Sequence, residues 1–103
     1  MGILTLEVVR AGLAEADRLA AGEVPDPEVL AAAPLLRDWL IEPREAGYFR
    51  LYGWVTGHPE LPDGWCTTSP VLHVGPDEAW VRTVSRYYRL GPPLREKMRK
   101  RNA

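Results

Sequence analysis

Cysteine is almost missing from this chain of 103 residues: Cys66 stands alone. One thiol cannot close a disulfide within the chain, and no cysteine or histidine recurs around it at zinc-ligand spacing. The expectation is a reducing cytoplasm and no metal. Long apolar runs are missing too. None approaches the ~20 residues a membrane-spanning helix needs, and Met1 to Leu6 lacks the charged and apolar regions of a secretion signal. This predicts a soluble intracellular protein with no membrane partner. Gly53, Gly57, Gly64 and Gly75 are too scattered to cradle a phosphate, and no cofactor fingerprint occurs, so no cofactor is expected. Internal repeats and low-complexity tracts are absent as well.

What remains is ordinary globular material. Apolar residues make up 46% and charged residues 26%, and four Trp with four Tyr supply large side chains for one core. A chain of this length forms a single domain. Ten Pro and nine Gly are concentrated after Gly22, which predicts short elements and tight turns in the second half.

Between Thr5 and Ala21 the apolar residues Leu6, Val9, Leu13, Ala16 and Leu19 or Ala20 recur at helical spacing, with Thr5 as N-cap and Gly22 just past the end. Asp26 and Pro27 read as the cap and first position of a second, short helix running to about Ala33, where Pro34 stops it. Leu35 to Ile41 suits either a strand or a helical turn. From Tyr48 to Thr56 the residues are strand formers. A turn over Glu60 to Gly64 leads to a second strand from Trp65 to Val74, interrupted at Ser69 and Pro70, and an antiparallel pair is expected.

Trp80 to Gly91 admits two readings. A helix places Arg82, Arg86 and Arg89 on one face, as in a basic recognition helix. A strand divides them between faces. The β-branched and aromatic content selects the strand. Together these elements predict an α+β domain: N-terminal helices (residues 1–45, acidic) on a small twisted antiparallel sheet (46–91), with a basic tail (92–103).

The net charge of −1 conceals a strong polarity. Residues 80–103 carry eight Arg/Lys against one Glu, residues 1–45 nine acids against four Arg, and residues 46–79 four acids against one Arg. Arg82, Arg86, Arg89, Arg95, Lys97, Arg99, Lys100 and Arg101 are therefore the candidate contacts to a partner or to nucleic acid, through phosphates or an acidic surface. A solvated tail carries the same charges without function. Interleaved aromatic rings could form a stacking platform for bases, although about four of Trp39, Tyr48, Trp54, Trp65, Trp80, Tyr87 and Tyr88 are expected in the core.

His58, with Asp63 nearby in sequence, is the candidate loop site, since an imidazole oriented by a carboxylate is the minimum for acid–base work. A loop histidine that braces its own turn explains the same residues. Cys66, Thr67, Thr68 and Ser69 offer nucleophiles near it, but no elbow or oxyanion site follows them.

The segment Gly57 to Gly91, with Gly57-His58-Pro59, Asp63-Gly64, Thr68-Ser69-Pro70-Val71 and the run Arg82 to Gly91, resembles a family of small bacterial proteins of unknown function carried on plasmids and prophages. The resemblance implies a last strand in a small antiparallel sheet and a role in binding, and assigns no catalytic residue. The favoured expectation is a non-catalytic protein-interaction or inhibitor module acting on a protein or nucleoprotein complex, such as a nucleic-acid-handling defence complex in the anti-CRISPR manner. The alternatives are direct binding of DNA or RNA and a small hydrolase around His58. Docking of the basic tail on the acidic half of a second copy would give a homodimer.

Overall fold

The computed structural model describes residues 4–102, so residues 1–3 and the last residue of the basic tail lie outside the described residues. Thr5 accepts from the Val8 amide at 3.2 Å and starts α1 (Leu6–Ala20), which ends at Gly22 with φ 98°. Asp26 caps α2 (Pro27–Ala32) by accepting from the Glu28 amide at 2.9 Å. Both helices stand as expected. Only Gly12 and Leu19 of α1 are buried, whereas Leu6 and Leu13, core positions by helical spacing, are exposed.

The strands are β1 (Leu35–Pro43), β2 (Phe49–Thr56), β3 (Gly64–Thr67), β4 (Val71–Val74), β5 (Trp80–Thr83) and β6 (Tyr87–Leu90), followed by α3 (Leu94–Asn102). They form one sheet in the order β3-β2-β1-β6-β5-β4. The α+β class holds, with four corrections. The central pair β1–β6 is parallel, with Leu35 opposite Arg89, so the sheet is mixed. The sheet begins at Leu35 and not near residue 46, because β1 falls inside the half expected to be helical. The expected second strand is two: β3 pairs with β2, whereas β4 pairs with β5 at the opposite edge. Trp80 to Leu90 is a hairpin and not one strand. Its turn is closed by buried Thr83, whose hydroxyl donates to the Arg86 carbonyl at 3.0 Å and accepts from the Arg86 amide at 3.2 Å.

The link Thr68–Pro70 decides the shape. In a flat six-stranded sheet the two edges would stand about 24 Å apart. The Cα path from Thr67 to Val71 spans at most about 15 Å. The sheet must therefore curl. The link is pinned on both sides: the Thr68 amide donates to the Leu51 carbonyl at 2.8 Å, and the Val84 amide to the Pro70 carbonyl at 2.9 Å. Inside the curl Leu36, Trp39, Leu51, Val55, Val71, Val81 and Tyr88 form the main core. Each fully buried Leu or Val there stabilises the fold by roughly 1.5–3 kcal/mol relative to exposure. On the outer face, Leu19 and Ala33 pack on Trp80 and Tyr87, so α1 and α2 cover the β4–β5–β6 half and leave the β1–β2–β3 half bare except where α3 packs against β1.

Candidate binding surface

The bare half of the outer face carries side chains that alternate out of the strands. Tyr52 and Trp54 leave β2 on this face, Trp65 leaves β3 beside them and Arg37 leaves β1 opposite Trp54. The rings are ordered against each other: Tyr52 stacks on Trp65 with centroids 5.4 Å apart, and Trp54 meets Trp65 edge-on at 5.5 Å. The Arg37 guanidinium lies 5.3 Å from the Trp54 ring centroid. Trp65 keeps 53% of its surface exposed.

Next to this ridge the backbone makes a deliberate kink. The β1–β2 register slips between Arg37 and Leu40, and Asp38 adopts φ 51°, a conformation that Asp tolerates better than most residues. The bulge turns Trp39 into the core, where its indole N–H donates to the Gly91 carbonyl at 2.8 Å. It also places the Asp38 carboxylate between two cations: Arg37 at 2.6 Å and Lys97 of α3 at 3.5 Å. The ridge and the basic helix thereby become one continuous surface.

That helix is the segment expected as a basic tail. It presents Arg95, Lys97, Arg99, Lys100 and Arg101 against Glu96 alone. Arg95 pairs with Glu78 at 2.9 Å and lies 5.4 Å from the Trp39 ring. Arg99, Lys100 and Arg101 occupy the exposed last turn, where cations also complement the helix dipole.

The arginines of the hairpin scatter. Arg82 is half-buried beneath α1, 5.1 Å from the Tyr87 ring, and burial lowers its pKa. Tyr87 donates to Glu15 of α1; this bond and Arg18 hold the Glu15 carboxyl below its usual range, while burial and Glu15 push the phenol up. Arg86 turns the other way, towards Glu60 at 3.4 Å. Arg89 alone is exposed on the outer face, with its Nε bonded to the Ala33 carbonyl at 2.9 Å. Four of the seven large rings considered, Trp39, Trp80, Tyr87 and Tyr88, are buried, whereas Tyr48, Trp54 and Trp65 are not. Sequence reasoning missed Arg37 and Tyr52, whose role depends on cross-strand neighbours.

His58 and Asp63 do not meet as a pair. The imidazole Nδ1 accepts from the amides of Glu60 at 3.0 Å and Leu61 at 3.1 Å, and Asp63 accepts from the Gly57 amide at 3.2 Å. Both brace the β2–β3 loop. Burial, aided by Arg86, lowers the His58 pKa, and the proton of its neutral form sits on Nε2. Burial pushes the Cys66 thiol up, away from the reactive thiolate. The Thr68 hydroxyl is engaged by the Leu51 amide and the Ser69 carbonyl, and no hydrogen bond among the described residues joins His58 to a Ser, Thr or Cys. No group of three or more metal-ligating side chains occurs among the described residues, nor is any helix there long and apolar enough to cross a membrane.

The sequence pattern of one protein family matches residues 7–98, nearly the whole described chain. The chain belongs to the DUF6634 family. It is a family of unknown function, so the membership brings no activity and no site residues. No curated protein and no solved structure matches the chain.

Proposed function

We propose that this member of the family is a binding protein and not a catalyst, and that its target is single-stranded nucleic acid. One observation carries the reading: Asp38 joins the cations of α3 to a half-exposed ridge of stacked rings. Strand-tracking cations beside aromatic faces are the chemistry by which unpaired bases are held without strong sequence preference. Arg37 and Arg89 extend the positive charge across the same face.

Fluorescence anisotropy of a labelled oligothymidylate of about 12 nucleotides tests it. Association is expected at low salt and should fade as salt rises. Replacing Lys97, Arg99, Lys100 and Arg101 together by Gln should reduce the salt slope by about 3, at ~0.7 per lost phosphate contact. Trp65→Ala should weaken binding by about 5- to 150-fold, equivalent to one stacked base. No association at low salt refutes the proposal.

A second reading, a protein-interaction or inhibitor module acting on a nucleic-acid-handling complex, draws support from Leu6 and Leu13, exposed on α1 at 65% and 48%. A protein recovered on the chain after nuclease treatment, and lost on replacing these leucines, would favour it over the first.

A further inference from the structure

A cavity of about 340 Å³ opens where the start of α1, the β2–β3 loop, the Thr68–Pro70 link and the β5–β6 turn come together. None of the ridge or α3 residues lines it. Its wall is divided by chemistry. Leu4, Val8 and Leu61 make an apolar side, completed by the ring of Tyr88. The rest of the lining is polar, with cationic donors, hydroxyls and one carboxylate.

Arg50 and Arg86 bring two guanidiniums to this wall, against the single carboxylate of Glu60. The Nε of Arg50 is enclosed and has no hydrogen-bond partner among the described residues, which leaves its terminal nitrogens as the groups able to reach a ligand. Arg86 spends only one long contact, 3.4 Å, on a Glu60 that is itself 56% exposed. His58 lines the same wall, and its Nδ1 is consumed by two backbone amides, which leaves Nε2–H as its remaining polar group. The Ser69 and Ser85 hydroxyls lie 2.9 Å apart and share one hydrogen bond, and the Ser85 hydroxyl also reaches that of Thr83 at 3.4 Å. Burial pushes the Tyr88 pKa up to about 12, so its phenol stays neutral. Guanidiniums, hydroxyls and an imidazole N–H converging beside an apolar wall match a ligand with acceptor oxygens at one end and carbon at the other.

We propose that this cavity binds a small molecule in which an oxyanion head group, carboxylate or phosphate, is carried by a compact apolar body. The head group sits between Arg50 and Arg86, and the body lies against Leu4, Val8 and Leu61. The site is independent of the nucleic-acid surface.

Titrating the full chain with phenyl phosphate, benzoate and neutral benzyl alcohol, followed by amide NMR, tests the assignment. Saturable shifts are expected around His58 to Leu61, Ser69 and Ser85 for the anions, and the tighter anion identifies the head group. Arg50→Gln should weaken that anion roughly tenfold, the scale of a lost charge-assisted contact, and leave oligonucleotide affinity unchanged within about twofold. Arg86→Gln, whose one ion pair among the described residues is to a half-exposed acid, serves if Arg50→Gln does not fold. No shift up to about 10 mM, shifts equal for benzyl alcohol, or shifts confined to α3 and the ridge would overturn it, and the wild-type titrations alone are enough to do so.

Discussion

Gly12→Ala should unfold this protein more easily, although the same exchange in most helices does the opposite. A helical Gly→Ala change gains about 1 kcal/mol of propensity. Here the new Cβ would lie 2.3 Å from the Val84 carbonyl oxygen, where ordinary contact begins at 3.4 Å. The obstacle is backbone, held in place by the Val84 amide bond to Pro70 at 2.9 Å, so no side chain can swing aside. Helix α1 must instead lift by about 1 Å, which loosens Leu19 on Trp80 and Tyr87. Overpacking of this kind costs about 1–3 kcal/mol, and a fixed carbonyl argues for the upper end. The net loss should be about 2 kcal/mol, or a fall in melting temperature of roughly 8–16 °C for a domain of this size. Calorimetry with Ala14→Gly as control separates the two effects, because exposed Ala14 should lose only the ~1 kcal/mol of propensity. Gly12→Ala as stable as wild type would refute the close approach of α1 to the hairpin turn.

Two predictions concern pH. Because the folded His58 pKa lies below the ordinary 6.5, the unfolded chain protonates first as pH falls. Stability from this group is full above pH 6.5 and declines below it, so wild type should lose more stability than His58→Gln between about pH 7.5 and about pH 5.5 in urea titrations; equal losses would exclude it. Tyr87→Phe removes the bond to Glu15 and should cost about 1 kcal/mol at neutral pH. It should also shrink one slope, which Arg18 still partly sustains, and remove another. The first is the acid loss as pH falls below the ordinary 4.5 of Glu15, whose folded value is lowered first by Tyr87 and then by Arg18. The other is the alkaline loss above 10.0, where the unfolded phenol ionises before the folded one. Unchanged slopes in the variant would show the pair is not coupled.

Local signals were readable wherever short-range chemistry decides the backbone. Thr5, Asp26-Pro27 and Gly22 mark the helix ends by capping and left-handed geometry, and the strand formers of β2 declared themselves. The hairpin turn between β5 and β6 was not readable, because Val84-Ser85-Arg86 contains no Gly, Pro, Asn or Asp and is closed by the buried hydroxyl of Thr83. Pairing was hidden for another reason: Ser69-Pro70 announces a break, but only the curl of the whole sheet sends β4 to the far edge. The eight candidate cations are divided by the fold. Five lie on α3 and Arg89 joins them on the outer face, Arg86 enters the cavity wall, and Arg82 lies half-buried beneath α1. The aromatic half of the surface depends on Tyr52, Trp54 and Trp65 meeting across strands, a relation no single stretch of sequence contains.

The parallel joint between β1 and β6 has a consequence for how the chain is made. Leu35 finds Arg89 only after more than fifty intervening residues have been synthesised. Until then β1 is an unfinished border, with Leu36 awaiting the Gly91 amide that will bond to its carbonyl at 2.8 Å. Borders of that kind recruit other chains. The hairpin that supplies β6 is therefore the keystone of assembly as well as a wall of the cavity, and a ribosome-bound chain stopped before Tyr87 should be the form most prone to aggregate.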